Sequence, residues 1–161
     1  MTRDRDRGYA AVVTAPVGPL GIRLEGGRLV AIDFAPRAEP PAHAPDPAAR
    51  EVLDQLFHYF EDAHWRFDLP LEMHGTPFQR RVWQRLRRIP AGATCSYGEL
   101  ARELGSSARA VGGACRRNPI PIVVPCHRVI AAAGVGGFMG QRGGDALAIK
   151  HWLLDHERRG S

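Results

Sequence analysis

Cys126 and His127 stand side by side at the end of an apolar run, Ile120-Pro121-Ile122-Val123-Val124, with Pro125 between the run and the thiol. A thiol is a weak nucleophile until it becomes a thiolate, and an adjacent imidazole is a common means of taking its proton. The run predicts a buried strand or extended segment that fixes Cys126 in place. Upstream, Asn118 precedes Pro119. A residue before proline is pushed toward extended geometry, and an asparagine there can tie neighbouring backbone together through its amide. Taken alone, a Cys-His pair reads more readily as a buried cysteine beside a surface histidine. The longer pattern around it points the other way.

Charge separates the chain into two halves. Residues 1–75 carry 8 basic and 12 acidic side chains (net −4), and residues 76–161 carry 14 and 5 (net +9), which together give the overall +5. A positive half beside a mildly acidic one predicts a polyanionic partner for the second half. Of the 22 basic residues only Lys150 is a lysine, a bias that reads as genome composition.

The elements that must position Cys126 follow from caps and periodicity. Thr76-Pro77 opens a helix, with Thr76 capping and Phe78, Val82, Trp83, Leu86 and Ile89 as its buried face. Five arginines cover the rest of it, and Pro90-Ala91-Gly92 ends it. Ser96 caps a second helix, with Glu99 completing a capping box. Gly105-Ser106-Ser107 forms a turn, and Ala108 to Arg117 forms a third helix, so the spacing fits a helix-turn-helix. Within that third helix, Gly112 and Gly113 each cost about 1 kcal/mol against alanine. Either helix–helix packing or close approach of an external backbone would explain them.

The blocks TPFQRRVW (76–83), SYGELA (96–101), ARAVGGACRRNPIPIVVPCHRVI (108–130) and LAIKHWLLDHE (147–157) resemble, in this order, the O6-alkylguanine-DNA alkyltransferases. These are the methylated-DNA–protein-cysteine methyltransferases. The resemblance covers about half the chain, from Thr76 to Glu157, and PCHRV is its most specific part. It implies direct-reversal DNA repair. The protein would bind the minor groove, flip an O6-alkylguanine out of the duplex and move its alkyl group irreversibly to Cys126, once per molecule and without cofactor or metal.

Carried over residue by residue, the resemblance makes Cys126 the acceptor and His127 its base, by way of a bound water, with Glu157 orienting His127. Tyr97 would donate a proton to a ring nitrogen of the leaving guanine, and Arg109 would fill the space left by the flipped nucleotide. Ala110, Gly112 and Gly113 would lie against the groove, and Arg116 and Arg117 on phosphates. Asn118 would be a hinge between the DNA-binding helix and the reactive cysteine, and Arg128 would fix either the domain geometry or the cysteine loop through a salt bridge. Val129, Phe138 and Met139 would line the base pocket under a glycine-rich loop, Gly134 to Gly144. Here the chain departs from the family, where many members have a tyrosine and a shorter loop. Partners implied are double-stranded DNA carrying O6-alkylguanine, with O4-alkylthymine as a second lesion, and a monomer is expected.

The first half offers no comparable chemistry. Residues 9–14, 19–24 and 28–34 read as strands of an antiparallel meander, 36–49 as a proline-rich loop, and Asp46-Pro47 as the start of a helix reaching about Phe60. That helix would bury Val52, Leu53, Leu56 and Phe60, and Phe67 to Leu71 would be extended. The expected fold is α+β: an N-terminal α/β scaffold domain (1–75), ribonuclease-H-like by resemblance, and a mostly helical, winged-helix-like domain (76–161). No apolar stretch approaches the length of a membrane span, and MTRDRDRGYA lacks the apolar core of an export signal, so a reducing cytoplasm of bacterial type is expected. Three cysteines fit neither a disulfide framework nor a zinc site.

Three rival readings address the same residues. A non-catalytic alkyl-lesion-binding (alkyltransferase-like) protein would carry another residue at position 126. A winged-helix regulator accounts for the charge but not for PCHRV. A cysteine hydrolase gives no account of the basic half.

Overall fold

The computed structural model describes residues 8–132, 134, 136 and 144–160. The chain divides into two compact units, Met1–Met73 and His74–Ser161. Among the described residues no helix is long and apolar enough to cross a membrane.

In the first unit, β1 (Tyr9–Ala15), β2 (Gly18–Glu25) and β3 (Arg28–Phe34) form an antiparallel sheet in the order β1-β2-β3. Tight connections leave no room for another order. Leu20, Ile22, Leu29 and Ile32 are buried on the sheet's inner face. The 67–71 segment does not form a strand of its own, but Leu71 bridges Leu29 in parallel, with Leu29 N–H donating to Pro70 O at 2.9 Å. Helix α1 (Pro47–Glu61) starts where Asp46 accepts from Ala49 N–H. Its buried stripe is Ala49, Val52, Leu56 and Tyr59, with Gln55 among them. Leu53 and Phe60, expected in the core, are only half-buried. The stripe follows the helical period from Ala49 at i, i+3, i+7 and i+10, and those two residues lie on its margins. Gln55 bonds both N–H and C=O of Asp68, which answers its burial.

In the second unit, α2 (Pro77–Leu86) opens with a full capping box. Thr76 accepts from Gln79 N–H at 3.1 Å, and the Gln79 side chain accepts from Thr76 N–H at 2.9 Å. Val82, Trp83 and Leu86 are buried on it, Ile89 just beyond it, and Phe78 partly so. Helix α3 (Tyr97–Leu104) carries the Ser96/Glu99 capping box and ends on Gly105, at φ +64°. That left-handed cap, which glycine takes without strain, reverses the chain into α4 (Ala108–Arg116), capped in turn by Ser107. Two-residue strands β4 (Cys95–Ser96) and β5 (Val129–Ile130) pair in parallel, and α5 (Gly144–Arg159) closes the unit. The result is a mixed α/β chain with one small antiparallel sheet and five α-helices among the described residues.

Candidate active site

The segment before Cys126 is a compact turn, not the strand its apolar character suggested. Val124 N–H donates to Ile120 O at 2.9 Å, and Ile122 takes φ +75°, a left-handed conformation that costs a β-branched residue about 1–3 kcal/mol. The physical reason lies in the same residues. Pro119, Pro121 and Pro125 have no N–H to give to a sheet ladder. Asn118, only 2% exposed, folds the segment onto itself instead: its amide donates to Val124 O at 2.8 Å and its oxygen accepts from Ile120 N–H at 3.0 Å. A side chain at the end of α4 thereby holds the turn that presents the thiol.

Cys126, His127 and Arg128 form a single 3₁₀ turn leading into β5, and all three are buried. His127 Nε2 donates to Glu157 Oε2 at 2.6 Å. Arg128 grips the same carboxylate with Nε on Oε1 at 2.8 Å and a terminal nitrogen on Oε2 at 2.9 Å, and its other terminal nitrogen donates to Ile89 O. Burial by itself would push the Glu157 carboxyl up, but bonds and charge from His127 and Arg128 outweigh it and hold it well below the usual carboxylate range. An ionised Glu157 only accepts, so the His127 proton lies on Nε2 and Nδ1 presents a lone pair. That Nδ1 is buried and has no hydrogen-bond partner among the described residues. Burial also depresses His127, against the opposing effect of Glu157, so the ring is neutral at physiological pH and able to take a proton.

The Cys126 thiol, 3% exposed, is pushed up to about 11, chiefly by burial, against the lowering effects of the Asn118 side chain and of Lys150. Lys150 was not singled out by sequence reasoning. It is fully buried, donates to Val129 O at 2.7 Å, and places its ammonium 5.9 Å from the centre of the Tyr97 ring. Burial lowers it to about 8. A lone lysine inside an amphipathic helix gives no local sign of this. Its status as the only lysine among 22 basic residues was the one available hint. Tyr97 is half-buried at the start of α3, and desolvation raises it to about 12.

Helix α4 turns Val111, Ala114 and Cys115 inward and leaves Arg109, Arg116 and Arg117 exposed, with Ala110, Gly112 and Gly113 between. Trp83 anchors it from α2 through a 2.8 Å bond from Nε1 to Ala114 O. Packing does not require its glycines. A Cβ on Gly113 would meet nothing within 4 Å, and one on Gly112 would only touch the Tyr97 ring at 4.0 Å. Of the alternatives left by the sequence, close approach of an outside partner is the one this geometry leaves standing. Val129 is buried beside the acceptor turn, whereas Phe138 and Met139 lie outside the described residues.

A buried cysteine next to a carboxylate-oriented neutral histidine, flanked by an arginine-rich helix with a bare surface, defines a thiol acceptor site beside a polyanion-binding face. The family model for the 6-O-methylguanine DNA methyltransferase DNA-binding domain matches residues 77–159. A methylated-DNA–protein-cysteine methyltransferase of Mycobacterium tuberculosis is 44% identical over 153 residues, covering 91% of this chain and 90% of that protein. The constitutive enzyme of Bacillus subtilis is 38% identical over 161 residues, covering 93% and 95%. Among solved structures, Mycobacterium tuberculosis O6-methylguanine methyltransferase superposes with a TM-score of 0.79 at 39% identity, covering 93% of this chain and 92% of that one. The same organism's protein in complex with DNA gives 0.78 at 39% identity, covering 94% and 93%. The chain belongs to the methylated-DNA–protein-cysteine methyltransferase family.

Proposed function

We propose that this protein repairs O6-alkylguanine in duplex DNA by moving the alkyl group to Cys126 in a single, self-inactivating turnover. The observation that carries this reading is the Cys126–His127–Glu157 arrangement: an acceptor thiol, a neutral base with its Nε2 proton committed to a buried carboxylate, and a lone pair left on Nδ1. The thiol proton passes to His127, by way of water, as Sγ attacks the alkyl carbon. The bond from that carbon to O6 breaks, and its electron pair leaves with guanine. Tyr97 protonates the departing base at a ring nitrogen. The product is a thioether, and hydrolysis does not restore the thiol.

Helix α4 enters the minor groove with Ala110, Gly112 and Gly113 against its wall. Arg109 occupies the place of the flipped nucleotide, and Arg116 and Arg117 sit on phosphates. Asn118 couples that helix to the acceptor turn, and O4-alkylthymine is a second substrate of the same pocket. The protein acts as a monomer in the cytoplasm. The three-stranded meander followed by α1 supports a ribonuclease-H-like reading of the first unit, and α3–α4 with the β4–β5 pair supports a winged-helix-like reading of the second. A lesion-binding protein without transfer is not favoured, because position 126 is a cysteine and its relatives are named as methyltransferases.

The test is stoichiometric. A duplex with a radiolabelled O6-methyl group, given in large excess, should transfer at most one methyl per protein chain. More than one per chain would mean turnover, and none at all would mean that Cys126 is not an acceptor.

A further inference from the structure

We infer that Lys150 is a positioning residue for the acid side of the reaction: its ammonium, fixed between the Val129 carbonyl and the face of the Tyr97 ring, makes Tyr97 the better proton donor to the leaving base. This rests on the proposed transfer to Cys126 and assigns a role within it to a residue outside the thiol–histidine–carboxylate set.

Three observations support it. Lys150 is fully buried, and nothing but function or pairing rewards burying an ammonium. Its position is fixed by a 2.7 Å bond to Val129 O, on the strand that pairs with Cys95 and Ser96 immediately before Tyr97. Its nitrogen lies 5.9 Å from the Tyr97 ring centre, within the range of a cation–π contact.

The chemistry gives the contact its consequence. Desolvation moves Tyr97 to about 12, which makes it a poorer acid just where a proton is needed. When the phenolic proton moves to a guanine ring nitrogen, negative charge develops on the oxygen and spreads into the ring. A cation over the ring attracts the phenolate more than the phenol, so it stabilises the transition state more than the ground state. The thiol proton is then on His127 and the phenolate lies beside Lys150. Solvent restores both groups once the base leaves.

Lys150 has other ionisable neighbours. Cys115 on α4 and Cys126 on the 3₁₀ turn, when ionised, favour its charged form, and its charge disfavours protonation of His127. With its own value lowered to about 8, mainly by burial, Lys150 is charged at neutral pH and discharges above it.

Single-turnover transfer from an O6-methylguanine duplex should be measured for wild type, Lys150→Met, Tyr97→Phe and the double variant, from about pH 6 to about pH 9.5. Lys150→Met should slow wild-type transfer roughly tenfold to thirtyfold, and slow Tyr97→Phe by less than about twofold. The same factor in both backgrounds would overturn the proposal and leave Lys150 a support for Val129 or for the thiol. Should Lys150→Met fail to fold, wild type and Tyr97→Phe decide alone. The wild-type rate should fall above about pH 8 and that limb should vanish in Tyr97→Phe; identical profiles would overturn the idea. If wild type transfers nothing, the function itself fails. The contact is then read directly from the ¹³Cε signal of the only lysine, which should move when Tyr97→Leu removes the ring, and its failure to move would refute the contact.

Discussion

His127 and Glu157 lie 30 residues apart and meet in a 2.6 Å hydrogen bond that no solvent reaches. The bond fixes which imidazole nitrogen carries the proton. Arg128 donates to both oxygens of the same carboxylate, and together with His127 it holds Glu157 ionised. Glu157→Gln should therefore do two kinds of damage. It strands the buried Arg128 charge, costing about 3–5 kcal/mol of stability. It also loosens the histidine tautomer, so methyl transfer should slow more than tenfold under conditions where the variant is folded. Urea unfolding and single-turnover kinetics read the two effects separately.

The same pair sets the pH dependence of folding. Glu157 is held below its ordinary value, so its contribution is complete above about pH 4.3 and is lost as pH falls through its folded value. His127 is depressed as well, so the unfolded chain takes up a proton that the folded one refuses once pH drops below about 6.5. Both effects have one sign. Stability should decline steadily from about pH 6.5 downward, and Glu157→Gln, already without the carboxylate contribution, should decline less below about pH 4.3. Parallel curves for the two proteins would assign the acid sensitivity elsewhere.

Gly113 separates folding from binding. A Cβ there meets nothing within 4 Å among the described residues, so Gly113→Ala should raise stability by about 0.5–1 kcal/mol through helix propensity. If α4 lies against a groove wall, the same substitution should weaken duplex binding. A variant that gained stability and bound DNA as well as wild type would remove the groove contact from this position.

Trp83 ties α2 to α4 by donating to Ala114 O inside the core. Trp83→Phe keeps most of the apolar surface but removes the shorter of two bonds to that carbonyl, which retains only Arg117 N–H at 3.2 Å, so about 0.5–1.5 kcal/mol should be lost in thermal or chemical unfolding. A neutral outcome would mean that the Arg117 bond alone satisfies the carbonyl.

Arg109 is exposed on α4. Arg109→Ala should leave stability within about 0.5 kcal/mol of wild type. It should slow repair of a duplex lesion far more than reaction with a free O6-alkylguanine base, which requires no flipping. Equal losses on both substrates would contradict the finger role. Binding to undamaged duplex should also fall steeply with added salt.

Most of what is local was legible beforehand. Asp46, Thr76 and Ser96 act within four residues of themselves, and each caps the helix its type and spacing predicted, while Gly105 lies in the turn expected there. The Ile120–Val124 turn was not legible as a turn. Its apolar residues read as a buried strand or extended segment; the prolines weigh against a ladder through their missing N–H, but the Asn118 bonds that close the turn are visible only in the folded chain. Leu53 and Phe60 show the usual uncertainty over which edge of an apolar helix faces inward. Glu157 was reached only through family resemblance, since a carboxylate near a helix end carries no local mark of burial. Lys150 escaped notice because its partners, Val129 and Tyr97, lie 21 and 53 residues away.

The central claim is that Cys126 takes the alkyl group. The direct test is intact-mass analysis after incubation with a duplex containing one O6-methylguanine, followed by peptide mapping. Wild type should gain the mass of one methyl group in place of one hydrogen, mapped to Cys126, and Cys126→Ser should gain nothing. A methyl group found on Cys95 or Cys115, or no gain despite tight binding to the lesion, would contradict the account.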